Sequence, residues 1–136
     1  MNVKCGAMKV FMTSVFSMMI LVATAQDPVK TVYYEDGQVQ AEYSISEESV
    51  VWASFYYPNG SVREVGRYSN GTPDGFWQSW DENGRKICEA YYVDGVKDGK
   101  WLYWTNEGTV QYEVYYDDNE IIDYTQWNRA DVVLED

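Results

Sequence analysis

The stretch "GTPDGFWQSWDENG", residues 71–84, decides the fold because it returns as "GVKDGKWLYWTNEG" at residues 95–108. Glycine holds the first, fifth and last places of both copies, and tryptophan the seventh and tenth. Working outward, Gly60, Gly84 and Gly108 stand 24 residues apart, as do Tyr56, Trp80 and Trp104, and Tyr68, Tyr92 and Tyr116. Gly37 lies 23 residues before Gly60 and brings Tyr33 and Glu42 into register as a worn first copy. A period of this length is the signature of a repeat architecture, in which each unit is one supersecondary element that buries its apolar face against its neighbours.

The punctuation within a unit points to hairpins. Seven of the ten glycines follow Asp or Asn, and such pairs supply the positive φ of tight turns. Runs such as "WLYW" and "TVQYEVYY" lie between them, rich in Val, Tyr and Trp and without helical periodicity. Two-residue alternation places Val110, Tyr112, Val114 and Tyr116 on one face, and Lys86, Cys88, Ala90 and Tyr92 on the equivalent face one unit earlier. The expectation is an all-β fold: an elongated single-layer antiparallel sheet of repeated hairpins, in about four units. In such a meander, equivalent residues are separated by an intervening strand and lie about 10 Å apart. A column of Glu42, Glu89 and Glu113, broken by Val65, is then largely screened, and side chains of the intervening strands fill the gaps between the tyrosines.

Written out, the repeat resembles the MORN repeat variant family. The resemblance is carried by "YYPNGSVREVGRYSNGTPDG", "FWQSWDENGRKICEAYYVDGVKDG" and "KWLYWTNEGTVQYEVYYDDNE", with a weaker match at "YYEDGQVQAEY". It extends to bacterial YwqK-type antitoxin proteins and implies strings of antiparallel hairpins used for protein contact rather than catalysis. An antitoxin or immunity-like role is thus what the resemblance implies.

The ends read differently. Lys4 and Lys9 precede an apolar run from Val10 to Val22, which closes on Ala23, Thr24 and Ala25. This is the pattern of a secretory signal peptide, and the run is short of the roughly 20 residues of a spanning helix. Residues 1–25 are therefore expected to be a signal peptide, 26–123 the repeats, and 124–136 a cap with an acidic tail, out of repeat register. Met8, followed by Lys9, would also serve as a start. The expected destination is the periplasm, the cell surface or the medium, with no stable membrane insertion after cleavage. Cys5 is lost with the leader on this reading, leaving Cys88 alone and the domain without a disulfide.

Cleavage removes two lysines and no acid, so the formal charge moves from −12 to −14. Such a charge repels phosphate backbones and anionic lipid, which argues against nucleic acid as a partner. There is no histidine, which removes His-based nucleophile arrangements, His-ligated zinc and the commonest general base. No catalytic residue, cofactor or metal site is expected. The acidic stretches "DENG" at 81–84 and "DDNE" at 117–120 lack the spaced ligands of a calcium loop and read as turns. Candidate partner-binding residues are the repeated aromatics Trp77, Trp80, Trp101, Trp104, Tyr92 and Tyr116. Trp77 and Trp80 are three apart, as are Trp101 and Trp104, so a regular strand sends the members of each pair to opposite faces. An aromatic row on an acidic chain suits another protein, preferably a basic one, or a glycan. A structural spacer is the third reading.

Overall fold

The computed structural model describes residues 5–7, 29–47 and 49–127. The expected leader segment from 8 to 25 and the end of the expected cap, 128–136, lie outside them. Among the described residues there are ten strands: β1 (Val29–Tyr33), β2 (Val39–Glu47), β3 (Val50–Tyr56), β4 (Val62–Ser69), β5 (Thr72–Trp80), β6 (Lys86–Val93), β7 (Val96–Lys97), β8 (Gly99–Trp104), β9 (Val110–Asp117) and β10 (Glu120–Gln126). All belong to one open antiparallel sheet in the order β1-β2-β3-β4-β5-β6-β8-β9-β10, with the short β7 beside β6. The fold is all-β, as the hairpin punctuation requires.

Two turns alternate along the sheet, and both repeat. The first is a three-residue loop, in which the amides of Gly37, Gly60, Gly84 and Gly108 donate to the carbonyls of Tyr34, Tyr57, Asp81 and Thr105. The glycine φ of 78 to 86° at these four sites is the left-handed residue that closes a type I turn into a bulge. The second is a two-residue turn at Asn70-Gly71, Asp94-Gly95 and Asp118-Asn119, with positive φ at both positions. That is the type I′ geometry whose twist matches the flanking strands.

A β-bulge also recurs. Phe55 faces Glu64 while Tyr56 faces Val62, which leaves Arg63 as the extra residue. Ile87 and Gln111 are extra in the same way on β6 and β9, and Gln40 on β2. Here the strict alternation is corrected. Each bulge turns the preceding residue over, so Lys86 and Val110 leave the face of Cys88 and Tyr112 and join Trp80 and Trp104 on the other side.

The core occupies one face. Trp77 and Trp101, with Phe55 and Cys88, are its largest fully buried side chains, joined by Ala41, Ala53, Tyr68, Ala90, Tyr92 and Val114. Their rings interleave across strands, with centroids 5.0 Å apart for Tyr68 and Trp77, 6.4 Å for Trp77 and Tyr92, and 5.1 Å for Tyr92 and Trp101. The intervening tryptophans thus fill the spaces between tyrosines of successive units, as anticipated. Room for Trp77 comes from Gly66, where an added Cβ would lie 2.1 Å from the indole.

Cys88 is not a lone thiol. It is bonded to Cys5 across a sequence separation of 83, and Cys5 and Ala7 pack against the core. The Ala7 amide donates to the Tyr92 hydroxyl at 3.0 Å. The expectation of a disulfide-free domain fails because it set residues 1–25 aside as a leader, whereas a disulfide depends only on proximity in space. β10 spans the residues on both sides of 123 and 124, running to Gln126 and pairing Tyr124 with Val114.

Candidate functional site

The face opposite the core is built from the other half of each alternation. Its middle row follows the cross-strand register Glu42, Ser54, Val65, Gln78, Glu89, Leu102, Glu113. The glutamate column is therefore real, and the intervening strands separate its members. Gln78 uses its place between them to donate to Glu89 Oε1 at 3.0 Å.

Aromatic rows run on either side of this polar row. Tyr56, Trp80 and Trp104 form one, each opposite Val62, Lys86 or Val110. All three rings are half-buried. Trp52, Phe76, Tyr91 and Tyr115 form the second, with Phe76 and Tyr91 edge to face at 4.9 Å. Phe76 is 71% exposed and Trp52 47%.

Each cation placed among these rings is engaged. Lys86 lies over the Trp104 ring at 5.5 Å and pairs with Glu89 at 2.6 Å. Lys100 lies over Tyr115 at 5.3 Å and pairs with Glu113 at 3.1 Å. Arg67 pairs with Asp74 at 2.6 Å. The Tyr115 hydroxyl donates to Glu113 Oε1 at 2.7 Å, and this bond together with the Lys100 ammonium holds the Glu113 carboxyl below its ordinary pKa. The Tyr56 hydroxyl donates to Glu42 Oε2 at 2.7 Å, and that bond to an anion, with some burial, pushes the phenol above its ordinary value.

The six sequence candidates divide by face. Trp80 and Trp104 lie on the outer face. Trp77, Trp101 and Tyr92 are buried in the core, and half-buried Tyr116 packs against the same core. Three-residue spacing fixed the opposition, and the small residues Gly66 and Ala90 on the neighbouring strands fixed which member goes inside. Sequence reasoning missed Trp52, Phe76, Tyr91 and Tyr115. Phe76, Tyr91 and Tyr115 could have been found through their cross-strand places beside the tryptophan columns.

Among the described residues no group of three His, Cys, Asp or Glu side chains is placed to hold a metal ion. In "DENG", Asp81 Oδ1 accepts the backbone amides of Asn83 and Arg85, both at 2.9 Å, so this carboxylate shapes the turn.

Residues 29–45, 53–70 and 97–118 match the MORN repeat variant family. The unmatched stretch between them repeats the same turn and bulge at Gly84 and Ile87, so the repeat is continuous in space where the sequence match is interrupted. No curated protein matches the chain. Among solved structures, the crystal structure of TarM is similar over 74% of this chain and 21% of its own, with 12% identity and a TM-score of 0.47. The chain thus spans about a fifth of that protein's length.

Proposed function

We propose that this chain, built of MORN repeat variant units, is a non-catalytic module that holds another protein on the outer face of its sheet. The observation that carries the reading is the aromatic pair of rows around Trp80 and Trp104. They stay accessible although a buried alternative, the Trp77 and Trp101 column, already serves as core. Partly exposed Trp and Tyr rings supply contact area at low conformational cost, and a net charge of −12 steers a basic partner toward them. Holding such a partner so that it is neutralised or scaffolded is the form suggested by the resemblance to YwqK-type antitoxins.

Export is part of the same proposal. The Lys-flanked apolar run supports it, and the Cys5–Cys88 disulfide is at home in an oxidising compartment. Cleavage before Gln26 would sever Cys5 from the repeat chain, so the disulfide goes with a chain that keeps its first residues.

The test is capture from the native envelope fraction with the wild-type chain and with Trp80→Ser and Trp104→Ser, folding being checked by circular dichroism. A salt-sensitive protein retained by wild type and lost by folded variants is the expected result. Capture unaffected by both substitutions overturns the proposal. Tryptophan quenching by cell-surface polysaccharide, with no protein captured, moves the surface to a glycan. Loss of folding with no separable binding defect leaves a structural spacer.

A further inference from the structure

The open edge at β10 differs from every internal strand. Trp77 lies between Gly66 and Ala90, and Trp101 between Ala90 and Val114, so each ring has a smaller side chain on both flanking strands. Tyr124 occupies the same place on β10, opposite Val114, but among the described residues β10 pairs only with β9. The consequence is a core-face ring that is 65% exposed, whereas Trp101 is 0% exposed. Ile121, Ile122 and Trp127 are exposed around it. Among the described residues no strand lies beyond β10.

The pattern specifies the strand that would continue it. Neighbours along the sheet are antiparallel throughout, so the incoming strand runs antiparallel to β10. Val114, Ala90 and Gly66 show that the side chain meeting Tyr124 on the core face is small and apolar. On the other face stands Asp123, and Asp117, Asp118 and Glu120 are exposed at the adjoining turn, with no Lys or Arg between 117 and 127. The nearby Lys97 ammonium is engaged on the core face, over the Trp101 and Tyr116 rings. A second copy of β10 would bring two more acids to this edge, Glu120 and Asp123, whereas a cationic strand neutralises it.

We propose that the β10 edge binds one extended peptide segment of a partner, alternating small apolar residues toward Tyr124 with Lys or Arg toward Asp123. Main-chain hydrogen bonds along the edge supply the binding, and the two rows of side chains supply selectivity. This surface is separate from the outer-face tryptophans, so the two proposals fail independently.

The test titrates the full chain with a nine-residue peptide alternating lysine and valine, read by fluorescence anisotropy of the labelled peptide. Two further versions are N-methylated, one at every lysine and one at every valine. A strand bound by one edge uses only alternate amides, so one methylated version must lose binding and the other keep it. Tyr124→Ser and Asp123→Lys, each checked for folding, are each expected to weaken binding about tenfold, as truncation of an anchor side chain does. Equal binding by both methylated peptides would mean a purely ionic association and overturn the proposal. So would a concentration-dependent dimer in sedimentation that the peptide does not dissociate, because the edge would then belong to a second copy.

Discussion

Trp101 and Tyr124 flank the same residue, Val114, from opposite sides, yet one ring is wholly buried and the other almost two-thirds exposed. Their local sequences do not account for this. In a single-layer sheet a side chain is enclosed by the strands on both sides, so burial belongs to position in the sheet rather than to residue type. The interior is consequently a continuous aromatic ladder, and among the described residues the edge strand β10 is paired on one side alone.

The comparison can be broken hardest at the staple. Reducing Cys5–Cys88 opens a loop of 83 residues in sequence separation and should lower stability by about 4–5 kcal/mol on the chain-entropy account. Urea unfolding with and without reductant measures this, and β1, the edge strand farther along the sheet from Cys88 on β6, should respond least in hydrogen exchange. Intact mass of the unreduced protein checks the premise. A chain containing Cys5 with no free thiol is expected; a chain starting at Gln26 with one free thiol would remove it.

Truncating the interior ring comes next. Trp101→Ala should cost about 3–5 kcal/mol, the range for a buried aromatic that leaves a cavity. It also removes the bond from the indole Nε1 to the Tyr91 carbonyl at 3.0 Å. Gly66→Ala should cost about 2–3 kcal/mol by overpacking, since the new methyl group falls on the Trp77 ring. Both are read as shifts in the urea midpoint.

A smaller effect appears at high pH. Burial pushes the Tyr68, Tyr92 and Tyr103 phenols above the ordinary value of 10.0. The folded state therefore holds these protons more tightly than the unfolded state. Their contribution is intact below about pH 10 and is lost as the pH rises toward the folded values. Absorbance at 295 nm should show these three phenols ionising only as the far-ultraviolet dichroism collapses; their ionisation near pH 10 with the sheet intact would contradict the shift.

The smallest change is expected at the edge. Tyr124→Ala should move stability by no more than about 0.5 kcal/mol, the range for exposed positions away from special features. A loss comparable to Trp101→Ala would mean that the edge is already covered in solution.

Much of this was legible before any coordinates. The 24-residue period gave the number and kind of hairpins, and Asn-Gly and Asp-Gly pairs gave the turns because left-handed backbone is costly for most residues. Three-residue spacing separated Trp77 from Trp80. The bulges were not legible, because an extra residue leaves composition and period unchanged while reversing the face of Lys86 and Val110. Tyr91 and Tyr115 stand 24 residues apart and are legible as a repeat column; that they share a row with Phe76 is not, because the row runs across strands.

The sequence by itself determined the repeat, its turns and the opposition of the two tryptophan columns, since these follow from backbone stereochemistry and strand alternation over short distances. Only the tertiary structure decided which column is core, that Cys5 meets Cys88, and that among the described residues no strand covers Tyr124. Each of those depends on what lies across a strand boundary or far along the chain, where a glycine on the next strand makes room for a ring and a strand paired on one side alone leaves one exposed.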